Sequence, residues 1–322
     1  MNMKSPSQSH SARGYTAALA AAVFLSTTAI FIRYLTVNYQ LPALVLAFWR
    51  AVFVSFTLLP ILVFSRRVQV RSGRVHLKYL ALYGLVLALF NSMWSLSVSL
   101  NGAAVATVLA YSSAAFTALL GWWLLKERLT LVKIVAVAFS LAGCFLVSGA
   151  LDASVQLNPA GILAGILSGL GYAAYSLFGR SAAGRGLNPW VTLLYTFVFA
   201  AFFLLAFNLL GGGWLPGAAP RPADLGWLGS AWQGWLVLII LAAGPTLAGF
   251  GFYNVALNHL PSSIANLVVT VEPVFTAIIA YLLFGEQLTG LQILGGLLIL
   301  GGVASLRGYE LWQARHQRLA IS

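Results

Sequence analysis

Charge is what this chain has least of. Lysine and arginine together number 18, aspartate and glutamate six, and charged residues make up 7% of the 322. A soluble domain needs about a quarter charged residues to cover its surface. Cysteine occurs once, at Cys144, and histidine four times, at His10, His76, His259 and His316. The single cysteine excludes a disulfide framework and a thiolate metal cluster. The scattered histidines offer no ligand pair at helical spacing, so neither a metal nor a cofactor is expected. Also missing is the Gly-x-x-x-x-Gly-Lys-Ser/Thr phosphate loop, which removes ATP as a direct energy source.

What is abundant is apolar surface: 60% of residues are hydrophobic, with a mean hydropathy of +0.90. Apolar runs long enough to cross ~30 Å of hydrocarbon as helix fall at 15–35, 43–64, 78–100, 103–125, 131–149, 160–180, 190–210, 235–258, 262–284 and 289–306. The chain therefore reads as an all-α integral membrane protein with ten spans. Residues 1–13 are polar, and the Ala-rich run after them opens an apolar segment instead of closing one. The first run is accordingly a retained span and not a signal peptide.

The spans repeat. Phe116-Thr117-Ala118, Glu127 and Leu129-Thr130 return 159 positions later as Phe275-Thr276-Ala277, Glu286 and Leu288-Thr289. The same offset pairs Ala106 with Ala265, Leu141 with Leu300 and Gly143 with Gly302, while an offset of 147 pairs Arg33 with Arg180 and Pro42 with Pro189. The expected organisation is a tail over 1–14, a first five-helix repeat over 15–149, a second over 150–306 and a tail over 307–322. In an apolar chain such a repeat points to a transporter whose site lies between the halves.

The basic residues give direction. With the amino terminus cytoplasmic, fifteen of the 18 bases face the cytoplasm, including the cluster Arg66, Arg67, Arg71 and Arg74; the exceptions are Arg33, Arg50 and Arg221. Five spans per repeat is odd, so the second copy enters the membrane inverted. Its turn agrees: Lys126, Arg128 and Lys133 become Gly285, Gln287 and Gln292. The excess of bases is thus a topology signal, and nucleic acid is not expected as a partner; the lipid bilayer and a small-molecule substrate are. Gly161, Gly165 and Gly169, with Gly295-Gly296 and Gly301-Gly302, suit close helix contact in lipid. Trp214, Trp227, Trp232 and Trp235 mark the outer headgroup level.

Ten helices in two inverted repeats, with Trp49-Arg50 in the second span, the Glu127 and Glu286 turns and Glu272-Pro273-Val274, resemble the drug/metabolite transporter superfamily in its ten-helix EamA-like exporter branch. The resemblance implies a cavity bounded by spans 1, 3, 4, 6, 8 and 9, with spans 5 and 10 peripheral. It also implies export of amino acids or related metabolites, with the bacterial aromatic amino-acid exporters as the nearest branch. Spans 8 and 9 contain no Lys or Arg, which disfavours sugar phosphates and other anions.

Several residues stand out as substrate or coupling groups. Glu272 is the only acid well inside a span, where a carboxylate is costly unless paired, hydrated or protonated. It either meets a substrate ammonium, takes up a coupling proton, or bonds a carbonyl freed by Pro273. Arg50 either binds a carboxylate, pairs with Glu272, or snorkels to the outer headgroups. Arg33 and Arg180 read as interface anchors, and Glu127 and Glu286 as turn residues bonded to backbone donors or nearby bases. Tyr83, Phe90, Asn91 and Trp94 share a stripe of the third span; Phe250 and Tyr253 match Asn91 and Trp94 in the second half. Together with Tyr111, Tyr172 and Tyr175 they form either an aromatic wall for a planar side chain or ordinary packing. Gly244-Pro245-Thr246 is expected to break the eighth span, or to kink it. A passive channel would need no such inverted repeat, and an intramembrane enzyme would need clustered His, Asp or Glu that the spans lack.

Overall fold

The computed structural model describes residues 6–64, 76–148, 158–211, 214–284 and 289–319. It is all-helical among those residues: α1 Pro6–Tyr39, α2 Ala43–Phe64, α3 Leu77–Ala110, α4 Ser113–Leu125, α5 Leu131–Val147, α6 Pro159–Gly184, α7 Pro189–Leu210, α8 Trp232–Leu241, α9 Leu247–His259, α10 Ser262–Val269, α11 Glu272–Phe284 and α12 Gly290–Leu319. Among the described residues nine stretches are long and apolar enough to span a membrane, and the shorter Leu131–Val147 makes the tenth. The ten spans form two inverted five-helix repeats. The third span passes into the fourth at Gly102, whose φ of 79° favours glycine. The basic cluster at Arg66, Arg67, Arg71 and Arg74 and the second-repeat turn with Gly285, Glu286 and Gln287 lie outside the described residues.

Local chemistry sets the helix ends. Asn158 and Asn188 cap α6 and α7, each accepting from two backbone N–H groups ahead of a proline in the first turn. Thr130 caps α5 by accepting from Lys133 N. Both terminal helices run past the apolar segments because they brace each other: the Tyr15 hydroxyl donates to Glu310 at 2.7 Å, and Arg307 donates to Ser11 at 2.9 Å while lying 4.2 Å over the Tyr15 ring.

The small residues do what their spacing predicts. On α6, a side chain at Gly161 would meet Asn101, one at Gly165 would meet Leu109, and one at Gly169 would meet Ser112. The last helices of the two repeats, α5 and α12, pack along each other. A Cβ on Gly143 would lie 2.5 Å from Gly295 O, one on Gly295 2.6 Å from Gly143 O, and one on Gly302 2.9 Å from Ala136 O. Gly301 faces open space, so only alternate members of the glycine pairs are packing positions.

The eighth span bends without breaking. Ala242–Thr246 form a single π turn around Pro245, with α8 and α9 continuing on either side. A π turn absorbs the missing proline N–H inside an otherwise helical run, so the kink and not the break is realised. At the tryptophan-rich end, Trp214 and Trp232 are exposed, while Trp49 Nε1 donates to Leu225 O at 2.7 Å and Trp227 Nε1 to Tyr39 O at 3.0 Å. The loop is thereby tied across the ends of α1 and α2. Asp224 within it bonds Arg221 and holds that guanidinium above its ordinary pKa.

Candidate functional site

Two spans tighten at the same internal position. In the first repeat Ser112 N donates to Leu109 O at 3.1 Å and Ala114 N to Tyr111 O at 3.0 Å, which ends α3 and begins α4. In the second, Thr270 N donates to Leu267 O at 3.1 Å and Val271 N to Val268 O at 3.2 Å, between α10 and α11. Tyr111 and Thr270 are 159 residues apart, the repeat offset. Such i→i+3 turns inside a helix often mark a hinge. The second turn lies directly before Pro273, second in α11, whose missing N–H and ring disfavour α-helix through the preceding turn. The matching turn at Tyr111-Ser112 contains no proline or glycine, and sequence reasoning missed it.

Between these turns lies a chamber of about 90 Å³. Leu25 and Thr28 of α1, Arg50 of α2, Phe90, Asn91 and Trp94 of α3, Thr107, Ala110 and Tyr111 at the first turn, Tyr172 of α6, Phe250 of α9 and Glu272 at the start of α11 line it. These are the six spans implied by the resemblance, with the second span added through Arg50. Glu272 accepts from the Tyr111 hydroxyl at 2.5 Å, a phenol and not a freed carbonyl. Arg50 is 6% exposed and donates to Asn91 Oδ1, whose own amide donates to Leu87 O at 2.8 Å. Burial rules out snorkelling, and Arg50 forms no ion pair with Glu272. The chamber thus holds one cation and one acid, each bonded to a neutral partner. Phe90 and Tyr172 stack between α3 and α6, centroids 5.0 Å apart and 11° from parallel. Thr28 Oγ1 is buried with no partner; the run Ser26-Thr27-Thr28 inside an apolar span was the available signal for it.

Tyr83, Tyr175 and Tyr253 do not line the chamber. They are fully buried beside it, in a polar ladder toward the end that carries Lys126, Arg128 and Lys133. Asn254 Oδ1 accepts from Tyr83 at 3.4 Å and Tyr175 at 3.3 Å. Ser113 donates to Asn266 at 3.0 Å, and Asn266 Nδ2 donates to Ser176 and Tyr253, both at 3.2 Å. Helical spacing put Tyr83 on the stripe of Asn91 and Trp94, but α6 and α9 close over it.

At that basic end Glu127 reaches across to the other repeat. Its Oε1 accepts from Ser262 N at 2.6 Å and Ser262 Oγ at 2.7 Å; its Oε2 accepts from Ser263 N at 3.2 Å and from Ser263 Oγ. Lys133, 5% exposed, donates to Ser263 Oγ at 3.0 Å and Arg128 O at 2.6 Å. A carboxylate on the first N–H groups of α10 suits the helix dipole. Arg180 donates to Leu257 O at 3.0 Å and Asn258 O at 3.3 Å, so it closes the carboxyl end of α9 and does not reach for headgroups.

The model of the EamA-like transporter family matches residues 12–149 and again 159–307. An uncharacterized transporter of Archaeoglobus fulgidus is 27% identical over 287 residues, 88% of this chain and 92% of its own length. The uncharacterized transporter YyaM of Bacillus subtilis is 24% identical over 91% of this chain and 93% of its own. The uncharacterized transporter sll1319 of Synechocystis is 27% identical over 66% of this chain, and the match spans 61% of that protein. A crystal structure at 19% identity superposes with a TM-score of 0.72, covering 93% of this chain and 96% of the other, and so shares the fold.

Proposed function

Since the chain belongs to the EamA-like transporter family, we propose that it is a secondary exporter of neutral amino acids, aromatic or otherwise apolar, working by alternating access in a bacterial inner membrane with both termini cytoplasmic. One observation carries the substrate class: Arg50 and Glu272 line a single chamber without pairing to each other. Opposite charges buried in one cavity are costly, and a zwitterion satisfies both at once, its carboxylate on the Arg50 fork and its ammonium on Glu272. Phe90, Trp94, Tyr172 and Phe250 supply ring faces for the side chain. The chamber is smaller than the roughly 300–1,000 Å³ of ordinary small-molecule sites, which suits a carrier that must open to load. Charge placement supports the orientation, since Lys126, Arg128, Lys133, Arg180 and Arg185 gather at one end, opposite the loop that carries Trp214, Trp227 and Trp232.

A second reading, export of drug-like organic cations or other small metabolites, is favoured by the Arg50 to Asn91 bond, which leaves Glu272 and the rings as the recognition set. Counterflow in proteoliposomes separates the two. Labelled tryptophan and phenylalanine should exchange, and tryptamine, which lacks the carboxylate, should exchange poorly. The reverse order would select the cation reading. Repeating the assay with and without a proton gradient tests the coupling role of Glu272.

A further inference from the structure

We infer that α10 is the moving gate on the basic side, and that Glu127, Ser262 and Ser263 are its latch, with hydroxyls that the repeat mates lack in sequence. The inference rests on the alternating-access reading. All eight residues of Ser262–Val269 are buried, and at 1.5 Å per residue they fill about 12 Å between the basic end and the turn at Thr270-Val271. Just beyond that turn Glu272 enters the chamber. One residue of this half-helix, Asn266, joins α4 through Ser113, α6 through Ser176 and α9 through Tyr253. No substrate passes to the basic side while Asn266 holds those three helices together. The segment is bounded by a hinge-like turn at one end and by Glu127 of the other repeat at the other.

The latch is asymmetric. Glu127 has its repeat mate in Glu286, but the mates of Ser262 and Ser263 are Ala103 and Ala104. Both hydroxyls that Glu127 accepts are consequently missing from the sequence on the opposite side. Two hydrogen bonds to a charged group that exist only with the basic side closed shift the resting population toward that state. For an exporter this holds the empty carrier shut toward the cytoplasm, so the latch must release before substrate loads from that side.

The test uses the full-length protein in vesicles of known orientation, with Cys144→Ser and a reporter Leu267→Cys, a position of zero exposure in α10. The probe is a membrane-impermeant maleimide added to one face at a time. S262A/S263A should raise labelling from the basic face at least about tenfold, with no rise from the tryptophan face; E127A should raise it further and E127Q less. Unchanged labelling of the serine pair from the basic face, or an equal rise from both faces, overturns the latch. If E127A does not fold, the serine pair decides alone. No substrate is needed, so a failed latch leaves the amino-acid assignment standing, and failed counterflow leaves the labelling result intact.

Discussion

The Tyr111 hydroxyl donates to the Glu272 carboxylate at 2.5 Å across 161 residues of sequence, and the two side chains stand at the equivalent tight turns of the two repeats. The one carboxylate of the chamber is therefore held by the tight turn of the opposite half. Anything that takes over Glu272, an ammonium or a proton, also loosens a bond between the halves.

Tyr111→Phe should lower thermal stability, because a buried carboxylate loses its donor at a cost of about 1–3 kcal/mol. Saturating substrate should restore more stability to the variant than to the parent. A thermal-shift series with and without substrate reads both; identical curves would remove the link.

Glu272→Gln should reduce exchange of amino acids by about tenfold or more, the loss of a charge-assisted bond. Any response of flux to a proton gradient should disappear with it. Normal exchange with normal gradient dependence would leave Glu272 a packing role only.

Arg50→Gln should raise the apparent KM for tryptophan about tenfold or more, with little change for tryptamine. Arg50→Lys should recover only part of the loss, since an ammonium cannot form the two-pronged contact. Equal losses for both substrates would place Arg50 in the scaffold with Asn91.

Trp94→Ala should weaken exchange of tryptophan and phenylalanine more than that of alanine or valine, as removal of a ring face does. Competition by unlabelled amino acids checks this. A uniform loss counts against stacking.

Gly143→Ala should destabilise the protein by about 1–3 kcal/mol, because its Cβ would meet Gly295 O at 2.5 Å and Ile299 Cγ1 at 2.6 Å. Gly301→Ala on α12 meets nothing within 4 Å and should be neutral. Thermal stability in detergent compares the two.

The spans, their inversion and most of the chamber were legible because bilayer physics writes them in composition, charge placement and a 159-residue offset. Glu272, Arg50 and Asn91 stood out as polar groups that lipid would not tolerate. The turn at Tyr111-Ser112 was not legible, because no residue there forbids helix and the turn depends on packing against Gly169. Nor did spacing show that Tyr83, Tyr175 and Tyr253 lie beside the chamber. A stripe defines one helix face but not which neighbours divide it, and α6 and α9 divide this one between Tyr83 and Phe90.

The seam of α5 and α12 maps onto itself when the repeats are exchanged: Gly143 against Gly295 becomes Gly302 against Ala136, and both contacts are present. It is the isologous interface of a two-fold dimer, contained in one polypeptide. A true dimer of identical halves would have to place the same side chain at 113 and at 272, giving either two carboxylates facing each other or none. Joining the halves covalently keeps the symmetric seam and lifts that constraint, so that a pseudo-symmetric scaffold can carry a single negative charge.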